Sequence, residues 1–181
     1  MNKWIAFLCI ITGSLMAADN DVVVSPRLSV NKHNKIAIFS EENKTDADAR
    51  DISAFEASIE LEFMRMGFNV IDRANINKIL AEHQFSQTGI MTVEGAIDAG
   101  KILGTNAIVV LKYSGRSGVV FSSQMKMVDV ETAAILISAS FSGGGLSEGR
   151  GIMSVIGAAY HKSPSSVAKL FFDKIKAQIK K

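Results

Sequence analysis

The chain has 181 residues, with 20 Lys/Arg, 18 Asp/Glu and one cysteine. That length carries one domain with a sizeable core. The balanced charge, with no basic patch interleaved with aromatics, argues against a nucleic-acid partner, and a single cysteine excludes a disulfide framework.

Residues 1–18, MNKWIAFLCIITGSLMAA, begin with one cation, Lys3, run apolar from Trp4 to Ile11 and end in small residues. A basic start, an apolar run too short to span a bilayer and a small-residue end predict a secretory signal peptide, cleaved after Ala17 or Ala18. Cys9 follows Leu8 inside the apolar run, so it reads as part of the removed segment rather than as a lipid-carrying cysteine. The expected mature chain has no thiol and no membrane-spanning segment; membrane contact stays open.

Residues 19–32 form a polar lead-in, expected to be extended and partly mobile. KIAIFS (35–40) predicts a buried strand. In 46–67, Ile52, Phe55, Ile59, Phe63 and Met66 recur at spacings of three and four, the apolar stripe of a helix. Asp46 suits its start and Gly67 its end. FNVID (68–72) predicts a strand, and 74–84 a helix with Ile76, Ile79, Leu80 and His83 along one side. Residues 92–104 predict a short helix closed by Gly104. TNAIVVLKYS (105–114) is apolar enough for a central strand.

GRSG (115–118) predicts a tight connection. In 119–130, Phe121, Met125 and Met127 alternate with Ser122, Gln124 and Lys126, as in an antiparallel strand with one wet face. Residues 135–142 predict a further strand. A last helix starts at Pro164 behind Ser163 and carries Val167, Leu170, Phe171, Ile175 and Ile179 as its stripe. The order β-α-β-α-α-β-β-β-α predicts one α/β domain, 33–181, with a mixed sheet of about five strands packed with helices. No internal repeat is present.

Charge is unevenly spread. Residues 19–72 hold six Lys/Arg against eleven Asp/Glu, and 162–181 hold six Lys against Asp173 alone. Acids early and bases late on helices suit the macrodipole; an acidic and a basic face on an assembling subunit is the other reading.

The glycine-rich loop 142–151 spells two catalytic patterns. Gly145-Leu146-Ser147-Glu148-Gly149 fits the G-x-S-x-G of a nucleophile elbow. An elbow needs a sharp strand-to-helix turn with an acid and then a histidine downstream. Here Gly143 to Gly145 loosen the turn, only Asp173 follows closely, and His161 precedes it. A serine hydrolase at Ser147 is therefore a remote reading. The phosphate-loop pattern fails because Arg150 and Gly151 stand where Lys and Ser/Thr are needed. His33, His83 and His161 are too scattered for a zinc set, and the carboxylates of 41–48 lack calcium-loop spacing. No catalytic residue, metal ligand or cofactor is predicted.

Residues 68–112 carry a different signal. Ile71-Asp72-Arg73 ends a strand and is followed by a helix with ILAEHQ; Ala96, Gly100, Lys101, Gly104 and Ala107 follow as A-x-x-x-G-K-x-x-G-x-x-A. MKMVDVETAAIL then resembles a V-D-V-x-T-G strand and turn, with Ala133 in place of the glycine. This succession is similar to the CsgG family, the curli production assembly/transport component, over roughly 33–180. The resemblance implies an α/β periplasmic domain without a catalytic centre, acting in envelope assembly or curli-type secretion at the outer membrane through protein contacts and self-association into a ring. The family's pore-forming members insert two β-hairpins per subunit. The interval 114–121 is too short for one, since a membrane strand needs about 9–11 residues. The interval 142–163 lacks barrel alternation. Similar compact domains occur in lipoprotein activators of cell-wall synthases and at the N-terminus of TolB, which implies the alternative of an accessory binding module regulating an envelope enzyme.

Overall fold

A computed structural model of the chain describes residues 19–40, 46–82, 93–116, 118–143 and 162–179. The elements are β1 (Asp19–Val24), β2 (Lys35–Ser40), α1 (Asp46–Arg65), β3 (Asn69–Val70), α2 (Arg73–Glu82), α3 (Val93–Leu103), β4 (Ala107–Arg116), β5 (Val119–Asp129), β6 (Ile135–Ser142) and α4 (Pro164–Ile179). One mixed sheet runs in the order β1-β6-β5-β4-β2-β3. β2 pairs in parallel with β3 and β4, while β4, β5, β6 and β1 pair antiparallel in turn.

The expected α/β class holds, with six strands instead of five. Residues 19–24 of the lead-in are the sixth, because Val22 finds a place in the core opposite Ala139 and the β6 edge supplies a full ladder from Ser142 to Ile137.

The helices cover the two faces unequally. α1 and α4 lie on one face, where Ile52, Phe55, Ile59, Phe63, Phe171, Phe172 and Ile175 bury against β2, β4, β5 and β6. Phe63 meets Phe172 at 4.8 Å and Phe68 at 5.2 Å, both edge to face, the arrangement the ring quadrupoles favour. α2 and α3 lie on the other face, where Ile76, Leu80, Ala96, Ala99 and Leu103 pack on Ala37, Phe39, Ile108 and Val130, with Val110 against them. Most of each stripe read from spacing is buried; Met66, Ile79 and Leu170 are partly buried, Ile179 is exposed at the end of α4, and Phe172 joins the core beside Phe171. His83, residues 41–45 and the loop 144–151 lie outside the described residues.

Caps follow local chemistry. Gly67 and Gly104 take positive φ at the ends of α1 and α3, where a Cβ would be strained. Ser163 Oγ accepts the Ser166 amide at the start of α4. Asp72 Oδ1 accepts the Ala74 amide at 2.8 Å and opens α2, so the acid of Ile71-Asp72-Arg73 is a helix cap.

Two findings correct the strand reading. Gly115 and Arg116 belong to β4 rather than to the connection, and the register between β4 and β5 shifts at Ser114/Gly115, where Gly115 opposes Val120 and Ser114 opposes Ser122. Phe121 falls in that bulge and is 42% exposed, while Val120 takes the buried place. A bulge inserts one residue and breaks strict alternation, which is why Phe121 does not join Met125 and Met127.

Ala133 stands where the similar turn has glycine, and its φ is 59°. A left-handed alanine costs about 1–2 kcal/mol, partly offset by the about 0.4–1 kcal/mol that glycine loses through unfolded-chain entropy. Ala133→Gly is expected to raise the melting temperature by roughly 1–4 °C, as read by thermal unfolding; a decrease would mean that the turn is not strained.

Candidate functional site

Of the sequence motifs, Ser147, Arg150 and His161 lie outside the described residues, as do Cys9 and the side chains of Asp46 and Asp48. Asp173 is on the exposed side of α4. Among the described residues no group of three or more His, Cys, Asp or Glu side chains could hold a metal, and no helix is long and apolar enough to cross a membrane.

The structure brings together one pair that spacing did not reveal. His33, 1% exposed, and Asp129, 3% exposed, meet at 2.8 Å between Nε2 and Oδ2. With Nε2–H donating to the carboxylate, Nδ1 accepts the Ser29 amide at 3.1 Å. Asp129 Oδ1 accepts the amides of Glu131 and Thr132, both at 2.8 Å. Burial alone would raise the Asp129 pKa, but the hydrogen bonds from Thr132, His33 and Glu131 outweigh it and hold the carboxyl below its ordinary value of 3.8. The pair resembles a catalytic dyad in composition only. Both ring nitrogens are engaged and buried, so neither reaches a substrate. Its work is to tie the loop before β2 to the turn after β5.

That turn is the centre of the V-D-V resemblance. Val128 lies in the sheet, Asp129 holds His33, and Val130 packs on α3 at Gly100. The Val130 amide also donates to Asn106 O at 3.0 Å. Thr105 donates through its amide, at 3.0 Å, and its hydroxyl, at 3.2 Å, to Gly100 O. Ala96, Gly100, Gly104 and Ala107 therefore serve the joint between α3, β4 and this turn. A second buried acid, Glu62 on α1, is bonded by Lys176 of α4 at 2.8 Å and by Arg65. Mainly through the Lys176 bond its pKa stays below the ordinary 4.5.

Among the described residues, the open surface is the part of the sheet that α2 and α3 leave bare. β6 and β5 contribute Ser142 beside Ser122, Ser140 beside Gln124 and Ser138 beside Lys126. β4 extends these rows with Ser114 and Lys112 up to Val110, which packs on the α2 and α3 cluster and bounds the surface, and β1 adds Asp21 and Val23. Most of these side chains are exposed, and Val23 is 58% exposed. The wet face expected from Ser122, Gln124 and Lys126 is one column of this surface.

No protein-family model matches the chain, and no curated protein matches it. Several solved structures do. The LpoB C-terminal domain from Salmonella enterica aligns with a TM-score of 0.44 at 14% identity, covering 60% of this chain and 81% of that one. A PelC dodecamer from Paraburkholderia phytofirmans gives 0.42 at 16%, covering 84% and 94%. Lipoprotein GNA1162 from Neisseria meningitidis gives 0.39 at 18%, covering 70% and 92%. At these scores the likeness carries no argument about function, which rests on the residues.

The outer edge of β1 completes the site. Gln178 of α4 accepts the Val24 amide through Oε1 at 3.0 Å and donates through Nε2 to Val22 O at 2.7 Å. Lys174 donates to Asn20 O. One helix thus satisfies backbone groups that an edge strand otherwise leaves open. The bare face can accept a polar, hydrogen-bonding surface. Its serines lie among Ser, Gln and Lys neighbours, and the described residues place no histidine beside them to act as a base.

Proposed function

We propose that this chain is an exported, non-catalytic protein of the cell envelope that acts by binding another protein through the bare face of its sheet. The observation that carries the reading is that face: the stretch of β1, β6, β5 and β4 beyond the α3 contacts at Ile108 and Val110, with no helix over it among the described residues and polar groups in every row. A flat array of hydroxyl, amide and ammonium groups offers many directional bonds and little hydrophobic attraction, which suits a regulated contact rather than an obligate one. Residues 1–18, with their basic start, apolar run and small-residue end, support export.

Within this reading, an accessory module that regulates an envelope enzyme such as a cell-wall synthase stands ahead of a curli-type secretion component. The β4–β5 connection is residues 117–118, which leaves no inserted membrane hairpin at that place. Kinship with the CsgG family is part of the proposal and is supported by the succession of elements and by the single joint that Ala96, Gly100, Gly104 and Val130 build.

A photo-crosslinking residue placed at Ser140 or Gln124 in cells is expected to capture a partner, and one at Lys169 on the exposed side of α4 is not. Capture of a cell-wall synthase supports the accessory module; capture of a secretion component shifts the reading to transport. A chain crosslinked at Lys169 but never at the sheet face defeats the proposed surface.

A further inference from the structure

The β1 edge is occupied in an unusual way. Asn20, Val22 and Val24 turn their backbone groups away from β6, because the alternate residues Asp21, Val23 and Ser25 face it; the Ser25 amide donates to Leu136 O at 2.8 Å. The Gln178 carboxamide bonds this outward row at two points, accepting from the Val24 amide and donating to Val22 O. Lys174 takes Asn20 O. Among the described residues the outward Val22 amide has no such substitute. The turn that carries Gln178 is shallowly held: α4 buries side chains up to Ile175, and none of 176–179 is buried.

We propose that β1 is a strand-addition edge held in reserve, on which Gln178 and Lys174 stand in for the β1 strand of a second copy of this chain. The strand is complementary to itself. An antiparallel pairing centred on Val22 sets Asn20 against Val24 of the second copy and Val22 against Val22. Each is an outward residue, so the backbone donors and acceptors of all three are paired. The same register sets Asp21 opposite Val23 and Asp19 opposite Ser25, so no acid faces an acid across the ladder. The product is a two-fold dimer with one continuous sheet, and the symmetry closes after two copies. At the opposite edge β3 has only two residues, Asn69 and Val70, too few to compete. The proposal stands apart from the sheet-face reading, because it uses the backbone of β1 and needs no envelope partner.

The test is the full chain with Lys174→Ala and Gln178→Ala together. The double variant is expected to double in mass by light scattering at concentrations where the unsubstituted chain remains a monomer. Its Val22 and Val24 amides should gain protection from hydrogen exchange as concentration rises. Adding Val24→Pro, which removes an outward amide and leaves the β1–β6 bonds intact, should restore the monomer. Gln178→Glu, which loses the donor to Val22 O, should dimerise in the same way if the double variant folds poorly. A monomer at every concentration overturns the proposal. So does a dimer in which Val22 and Val24 stay unprotected, and so do filaments, which would require β1 to pair with the far edge.

Discussion

Asp129→Ala is expected to lower stability by about 1–3 kcal/mol for each buried donor left without an acceptor. The alanine removes the acceptor for His33 Nε2 and for the amides of Glu131 and Thr132 in one step. Of these donors the His33 ring is the buried one, whereas Glu131 and Thr132 lie in an exposed turn. Asp129→Asn should cost less, about 1–2 kcal/mol. Its carbonyl can keep the turn amides, and its NH2 can donate to His33 Nε2 once the ring takes the other tautomer and donates from Nδ1 to Ser29 O, now 3.0 Å away. Urea unfolding of the two variants separates the readings. Equal losses would show that the charge, and not the hydrogen bonds, holds the turn.

The sign of the pH dependence follows from the same geometry. Asp129 and Glu62 are held below their ordinary values of 3.8 and 4.5. The folded state thus binds these protons less readily than the unfolded chain, and the stability they contribute is present at neutral pH. It is lost as the pH falls below those ordinary values and through the lower folded ones. Asp129→Asn should flatten part of that acid-side decline in a stability series from pH 6 to pH 3.

Gly100→Ala is the second large effect, expected to cost about 1–3 kcal/mol by overpacking. A Cβ at Gly100 would lie 2.3 Å from Val130 Cγ2 and 3.1 Å from Ile108 Cγ1. Both neighbours are branched core side chains that cannot swing away, so α3 must lift from the sheet. On an exposed helix the same change would gain about 1 kcal/mol, so the sign itself reports the contact. Val130→Ala alone should destabilise by leaving a cavity, but combined with Gly100→Ala it restores room for the new methyl. The double variant should be more stable than the sum of the single losses allows, by about 0.5–3 kcal/mol for residues in contact. Strict additivity in thermal unfolding would remove Gly100 from the joint.

These two positions show what a sequence can and cannot display. Gly100 stands out in A-x-x-x-G-K-x-x-G-x-x-A, but the string does not say what presses on it; Val130, thirty residues on, does. His33 looked like one more scattered histidine. Its partner is 96 residues away, and nothing in either neighbourhood marks the match. Alternation groups Phe121 with Met125 and Met127 because it assumes an unbroken ladder, and the bulge at Ser114/Gly115 is a property of two strands together. DNDVVV is short and acidic at one end, and as a lone segment it has no reason to be a strand; the β6 edge supplies one.

The sequence by itself determined the local elements: the stripe from Ile52 to Phe63 on α1, that of Val167, Phe171 and Ile175 on α4, the starts at Ser163 and Pro164, the stops at Gly67 and Gly104, and the wet alternation of Ser122, Gln124 and Lys126. Each depends on periods of two or 3.6 residues and on caps within a turn, which neighbouring residues fully specify. Only the tertiary structure decided that β1 closes the sheet, that Gln178 lies on its edge across 154 residues from Val24, that Asp129 finds His33, and that α2 and α3 cover only part of one sheet face. Those outcomes depend on which distant surfaces compete for the same apolar area and the same unpaired backbone groups. That competition is resolved only when the whole chain folds together.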